Sequence, residues 1–314
     1  MTSLEVKARP PILVLAGPTA CGKTERAVDL ALRLDAELIA ADSVQIYCDF
    51  DIGSAKPRED ELRGVPHHLI SVLHPAQSID AVAYAKRADE AIAEVAARGK
   101  LPLVVGGTGL WIRALLQGLV ELPAPDPQIR RALEEEAERA GTAELHCRLA
   151  GVDPRAAARL HPNDRLRIVR ALEVFEQTGR ALGELHAEHA LGEARYRSFM
   201  MVIDPEAESL RRRIEARMHR MFAQGWLEEV AALRARYGSE VKAFGSLGYK
   251  QLLAHLEGRN SLDETQQEIL RATKAYARHQ KTWFRTAKGV TWRGQGEALS
   301  DEITLDSIRR FLDL

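Results

Sequence analysis

The spacing of apolar positions changes along this chain, and the change divides it. Residues 12–16 are a continuous apolar run, as in a strand buried on both faces. Residues 24–34 then take helical spacing, with Ala27, Leu30, Ala31 and Leu34 on one face. A second apolar run follows at 37–41. Residues 79–98 form an amphipathic helix that turns Val82, Ala85, Ala88, Ala91, Ile92 and Val95 inward. A third strand at 101–105 leads into a helix at 110–119. Strands alternating with helices predict an α/β fold with a parallel sheet.

From Leu122 the strand-like runs stop. Pro123, Pro125 and Pro127 mark a linker, and about seventy residues of helical period follow. Residues 127–140 form an acidic helix whose glutamates read as a solvated face, and short helices follow at 145–149 and 154–160. A helix at 163–178 has Asn163 as its expected cap and Leu166, Val169, Leu172 and Phe175 as its apolar stripe. Residues 199–204 return to a strand that ends on Asp204, which reads equally as a Walker-B-like acid or a cap. Helices at 206–222, 227–236, 248–256 and 262–286 follow, then a strand at 290–292 and a helix at 308–312. The expected organisation is an α/β core, residues 1–120 with 199–314, carrying an all-helical insertion, residues 121–198.

The first strand runs into Gly17-Pro18-Thr19-Ala20-Cys21-Gly22-Lys23-Thr24, which fits G-x-x-x-x-G-K-[ST] in full. Between a strand and a helix this is a phosphate loop. Glycines let successive N–H groups turn inward, the helix N-terminus adds partial positive charge, and Lys23 adds a full one. The Thr24 hydroxyl suits Mg²⁺ bridging phosphate oxygens. The second strand ends on Asp42-Ser43-Val44-Gln45, at the sheet edge where open α/β sheets bind ligands. Gly106-Gly107-Thr108-Gly109 ends the third and reads as another anion- or RNA-contacting turn.

Composition narrows the partners. The 314 residues are 46% hydrophobic and 28% charged with net charge −1, so a nucleic-acid site has to be a local patch. Three separated cysteines, with no C-x-x-C, argue for a reducing compartment and against a structural zinc. No apolar run has membrane-spanning length and residues 1–11 lack a signal core, so a soluble cytoplasmic protein is expected, a monomer in the simplest case. The patch itself lies on the helix at 262–286. Arg271, Lys274, Arg278, Lys281, Arg285 and Lys288 recur at intervals of 3, 4, 3, 4 and 3, with no acid between the first and the last. Such a stripe repels itself unless a polyanion lies along it. The GTPase base-reading pattern N-K-x-D is absent. On these residues alone nucleotide phosphorylation, nucleic-acid modification and RNA binding without catalysis all remain open.

The chain also resembles the bacterial tRNA dimethylallyltransferases over nearly its whole length. The resemblance rests on the phosphate loop, Asp42-Ser43-Val44-Gln45-Ile46-Tyr47, Asp51-Ile52-Gly53-Ser54-Ala55-Lys56-Pro57, Val105-Gly106-Gly107-Thr108-Gly109-Leu110, Asn163-Asp164, and Arg167 with Arg170-Ala171-Leu172-Glu173. Residues 245–250, Tyr276-Ala277 and Thr282-Trp283-Phe284-Arg285 complete it in order. It implies a P-loop kinase-like core with a helical insertion, and dimethylallyl transfer from dimethylallyl diphosphate to the exocyclic amine of the adenine 3′-adjacent to the anticodon in tRNA. The loop from Gly17 to Thr24 would then hold a diphosphate leaving group, with Mg²⁺ at Thr24. Asp42 would be the base, and Thr19, Lys23 and Arg217 its catalytic partners. The anticodon stem-loop would meet Asp42, Ser43, Val44, Gln45, Thr108, Leu166, Arg167, Ile168, Val169 and Arg170, and more weakly Arg130, beside the stripe of Lys274, Arg278, Lys281 and Arg285. Cys21 stands where Ser is common, Cys48-Asp49-Phe50 where Arg-Gly-Met is usual, Trp111 for Tyr and His279 for Arg.

Overall fold

A computed structural model describes residues 9–120, 122–189, 194–294, 299 and 301–313. The N-terminal stretch expected to lack a signal core lies, over residues 1–8, outside them. In chain order the first elements are β1 (Ile12–Ala16), α1 (Lys23–Leu34), β2 (Ala36–Ala41), α2 (Glu59–Leu62), β3 (His67–His68), α3 (Ala81–Ala97), β4 (Leu101–Gly106) and α4 (Gly109–Gln117). Five helices follow: α5 (Pro127–Ala140), α6 (Thr142–Val152), α7 (Pro154–Ala157), α8 (Arg165–Thr178) and α9 (Leu182–His189). Then come β5 (Ser198–Asp204), α10 (Ala207–Ala223), α11 (Trp226–Tyr237), α12 (Tyr249–Leu256), α13 (Leu262–Arg285), β6 (Val290–Gly294) and α14 (Glu302–Leu312). Two compact units result: the chain up to Leu116 with that from Arg195, and the chain between, residues 117–194.

In the first unit all strands are parallel, in the order β3-β2-β4-β1-β5-β6. Every residue of β1 and β2 is buried, which is why β1 reads as an uninterrupted apolar run and β2 as one broken only by Glu37, which pairs with Arg98. Gly106 pairs with Ala41 on one side and Ala16 on the other. The loops after β1, β2 and β4 therefore leave the sheet at one level. That register requires a glycine, since a Cβ on Gly106 would stand 2.2 Å from the Ala41 carbonyl oxygen. On α3 the buried face runs through Tyr84, Ala88, Ala91, Ile92 and Val95, whereas Val82, expected inward, is exposed.

The second unit has its own core, built by Leu133, Leu145, Leu149, Ile168, Val169 and Leu172. Helix α8 starts two residues later than expected, because Asp164 and not Asn163 caps it, accepting from the Arg167 N–H. Leu166, placed on the apolar stripe by its spacing, is 76% exposed. The glutamates of α5 are not merely a solvated face: Glu136 pairs with Arg148, and Glu138 with Arg165.

Candidate functional site

The loop after β1 has the geometry of an anion nest. Ala20 and Gly22 both take left-handed backbone, at φ 63° and 86°, which turns neighbouring N–H groups to one side at the start of α1. Lys23 folds over this loop, its Nζ donating to the Gly17 and Pro18 carbonyls at 2.9 and 2.8 Å. Cys21 is buried in the core beneath, so exchange for serine there concerns packing and leaves the backbone donors in place. Two arginines of α10 reach the same loop. Arg213 lies against Gly22, where an added Cβ would stand 2.9 Å from its guanidinium. Arg217 Nη1 donates to Thr19 Oγ1 at 3.2 Å. Burial pushes the Arg217 pKa down, and the Asp42 carboxylate acts against that shift.

Asp42 follows directly on β2. Its Oδ1 accepts from the N–H groups of Val44 and Gln45 at 2.9 and 3.3 Å, which closes the 42–45 turn and aims the carboxylate. Thr108 Oγ1 accepts from the Ser43 N–H at 3.2 Å, so the β4 loop holds the same turn from the other side. Tyr84 and Tyr276 flank this carboxylate. Burial, with Asp42 second, pushes the Tyr276 phenol up to about 12, and both act in the same direction on Tyr84. The Tyr84 ring stacks on Trp111 with centroids 4.3 Å apart, a packing that suits the larger aromatic at 111.

Helix α13 closes the sheet edge. Gln280 Oε1 accepts from the Thr19 N–H and its Nε2 donates to the Gly107 carbonyl, both at 2.8 Å. A Cβ on Gly107 would stand 2.4 Å from Gln280 Nε2, and one on Gly109 would stand 2.2 Å from Trp283 Cδ1. Positive φ occurs at none of Gly106, Gly107 and Gly109. The β4 loop therefore lacks the left-handed backbone of the first loop. Its glycines admit α13.

Glu229 of α11 organises the 51–57 loop. Its carboxylate accepts from the N–H groups of Asp51, Ile52 and Gly53 at 2.9, 2.6 and 3.2 Å, and from the Tyr249 hydroxyl at 2.7 Å. Gly53 is fixed by close approach, since a Cβ there would stand 2.0 Å from Trp226 Nε1. The loop's carbonyls then serve the site: Ser54 O accepts from Gln45 Nε2 at 3.2 Å and faces Arg217 Nη2 at 3.5 Å.

A phosphate loop, a carboxylate on the next strand end and a basic helix thus share one sheet edge, and known proteins share the pattern. Residues 45–287 match the model of the IPP transferase family. The chain belongs to that family. It is 49% identical over 281 residues to the tRNA dimethylallyltransferase of Anaeromyxobacter dehalogenans (strain 2CP-C), covering 90% of this chain and 94% of the relative. The tRNA dimethylallyltransferase of Geobacter sulfurreducens is 46% identical over 286 residues, covering 91% and 92%. The crystal structure of the full-length tRNA isopentenylpyrophosphate transferase of Bacillus halodurans superposes with a TM-score of 0.70 at 33% identity, covering 97% of each chain. A eukaryotic dimethylallyltransferase acting on tRNA gives 0.77 at 26% identity, covering 96% of this chain and 77% of that one.

Within this chain several residues expected to meet RNA are otherwise engaged. Ile168 and Val169 lie in the core of the helical unit, so their side chains are not contacts. Arg130 and Arg170 both bind the fully buried Glu173, at 2.9 and 2.8 Å, and Arg170 also donates to the Pro123 carbonyl. Burying Glu173 requires such partners, which gives both arginines a structural task, while each stays partly exposed. Leu166 and Arg167 are exposed, the latter beside Asp164. Gln45 is turned inward onto Ser54 and Ala55.

The basic stripe is also shorter than its spacing suggested. Helix α13 ends at Arg285, leaving Lys288 beyond it. Lys281 is paired with Asp204, which is thus neither a free Walker-B acid nor a cap, and Lys274 faces Glu215 at 3.9 Å. Arg271, Arg278 and Arg285 are exposed. Arg271 and Arg278 line a groove of about 850 Å³ between α10 and α13, floored by Leu210, Ile214 and Ala277. The departures at 48–50 serve packing: Phe50 is wholly buried against Tyr249 with ring centroids 4.6 Å apart, and Asp49 pairs with Arg236 at 2.7 Å. No helix among the described residues is long and apolar enough to cross a membrane.

Proposed function

We propose that this chain transfers the dimethylallyl group of dimethylallyl diphosphate to the exocyclic N6 amine of the adenine 3′-adjacent to the anticodon in tRNA. The observation that carries the reading is Asp42 beside the phosphate loop, with Arg217 bonded to Thr19 of that loop and within reach of the Asp42 charge. Breaking the allylic C–O bond leaves its electron pair on diphosphate and positive charge on carbon. The N–H groups of the nest, Lys23, Arg213 and Arg217 are fixed donors around the place where that negative charge grows, so they bind the departing diphosphate more strongly than the intact donor. The N6 lone pair forms the new C–N bond, and the amine sheds a proton as it does so. Asp42 takes it: Oδ1 is held by the Val44 and Gln45 N–H groups, and Oδ2 makes neither of those bonds.

The hydroxyl of Thr24, in the first turn of α1, is a hard oxygen donor of the kind magnesium takes alongside phosphate oxygens. Bound there, Mg²⁺ would offset charge on the diphosphate. The target adenine has to leave its stack to reach Asp42, as in other base-modifying enzymes. The exposed arginines of α13, Arg271, Arg278 and Arg285, suit RNA phosphates around it.

A single incubation tests the reading: protein, Mg²⁺ and unmodified tRNA with labelled dimethylallyl diphosphate, beside a matched reaction with labelled ATP. Label entering tRNA only from the prenyl donor is expected. Phosphate release from ATP without prenylated RNA would move the assignment to a kinase.

A further inference from the structure

Gln280 stands where the two halves of the reaction meet. Its carboxamide is buried, and both ends are committed to backbone at 2.8 Å: Oε1 to the N–H of Thr19 in the diphosphate loop, Nε2 to the carbonyl of Gly107 in the β4 loop. Thr19 itself and Thr108, the residue after Gly107, lead into the chemistry. Thr19 Oγ1 accepts from Arg217, and Thr108 Oγ1 accepts from the N–H of Ser43, beside Asp42. Tyr276 lies one turn earlier on α13, on the same side of the helix as Gln280. Gln280 thus ties the loop read as the leaving-group site to the β4 loop, whose next residue, Thr108, holds the turn that carries Asp42. A Cβ on Gly107 would fill the place the amide occupies, so the loop and the amide fit only each other.

We propose that Gln280 is a positioning residue that sets the spacing between the donor's diphosphate and Asp42. This rests on the reading of the loop as the diphosphate site and of Asp42 as the base. The chemistry of the position explains the residue type. One planar group must accept on one side and donate on the other, and at this length only a carboxamide or a protonated carboxyl does both. Reaction needs the allylic carbon and the amine nitrogen at near-attack distance, and a misplacement of about 1 Å can cost roughly 100-fold in rate. Loss of the tie therefore acts on turnover more than on the affinity of either substrate.

Gln280→Glu gives the test a signature that packing alone does not. A carboxylate still accepts from Thr19 but faces the Gly107 carbonyl with no proton to donate. Once protonated, it reproduces both bonds. Steady-state rates on tRNA with dimethylallyl diphosphate are measured from pH 8 to pH 6, each relative to wild type at the same pH. For Gln280→Glu the relative kcat should rise by about 10-fold as pH falls, with both KM values within about 3-fold of wild type. Gln280→Leu, similar in size and without either bond, should lose about 10- to 100-fold in kcat with no acid-side recovery. A pH-independent ratio for the glutamate variant, or a leucine variant turning over like wild type, would overturn the proposal. Should the leucine variant not fold, the glutamate profile decides alone. The wild-type control separates the two readings: if it labels tRNA and the variants match it, only the positioning role falls, and if it labels none, both fall.

Discussion

Arg217 Nη1 lies 3.2 Å from Thr19 Oγ1 while its Nη2 faces Ser54 O, so one guanidinium joins the 17–24 loop to the 51–57 loop. Lysine offers a point charge and no fork. Arg217→Lys should lower kcat/KM for dimethylallyl diphosphate by roughly 100-fold, the scale of losing one preorganised donor to a developing anion. tRNA affinity, measured separately by filter binding, should stay within a few-fold. A kcat/KM close to wild type would remove Arg217 from the leaving-group site.

Glu229 accepts from three consecutive N–H groups, and Glu229→Ala leaves all three without it. The expected cost is about 1–3 kcal/mol of stability, read as a fall in the urea midpoint. Faster limited proteolysis within residues 51–57 should accompany it. Glu229→Gln, which keeps one acceptor, should fall between the two.

The groove between α10 and α13 separates paired from unpaired cations. Arg271→Glu and Arg278→Glu should each flatten the logarithmic salt dependence of tRNA binding by about one unit of slope. Lys281→Glu, whose cation already faces Asp204, should change the slope less. Equal slopes for wild type and the Arg271 and Arg278 variants would return this face to ordinary solvation.

What the sequence made legible is local. Residues 17–24 carry their spacing in four fixed positions, and the runs at 12–16 and 38–41 are apolar because both faces of the sheet are covered. Asp42 follows from being the first residue past a strand. Contacts across the fold were not legible. Glu229 lies 176 residues from Gly53, and nothing near it in the chain marks a loop-holding carboxylate. Gln280 is a neutral residue on a helix whose basic positions dominate its pattern, although its place beside Lys281 on the phosphate-loop side was there to find. The pairing of Arg130 and Arg170 with Glu173 was hidden because that glutamate reads as one more surface acid on an amphipathic helix. Lys281 and Lys274 looked unrelieved because their acids come from β5 and α10.

Stability should fall in mild acid. Burial, with His68 second, lowers the His67 pKa from the ordinary 6.5 to about 4. Between those values the unfolded chain binds a proton that the folded chain does not, so stability is lost as pH drops from 6.5 towards 4. Glu37, held below the usual carboxylate range chiefly by its hydrogen bond from Arg98, adds loss at still lower pH. From pH 7 to pH 5 the His67 contribution is about 1–2 kcal/mol. The fall in urea midpoint over that range should be shallower in His67→Leu.

The central claim is that Asp42 receives the proton of an adenine amine while the neighbouring loop holds diphosphate. Its most direct test is single-turnover transfer from labelled dimethylallyl diphosphate to tRNA, with wild type and Asp42→Asn side by side, followed by nucleoside analysis of the product. Asparagine keeps the size and an acceptor for the Val44 N–H but has no basic oxygen. The account predicts label on N6 of the adenine 3′ to the anticodon with wild type. It predicts a rate lower by at least about 100-fold with Asp42→Asn, within the usual span of general-base catalysis, at near-equal tRNA affinity. Transfer by the variant at the wild-type rate, or label on any other nucleoside, would contradict it.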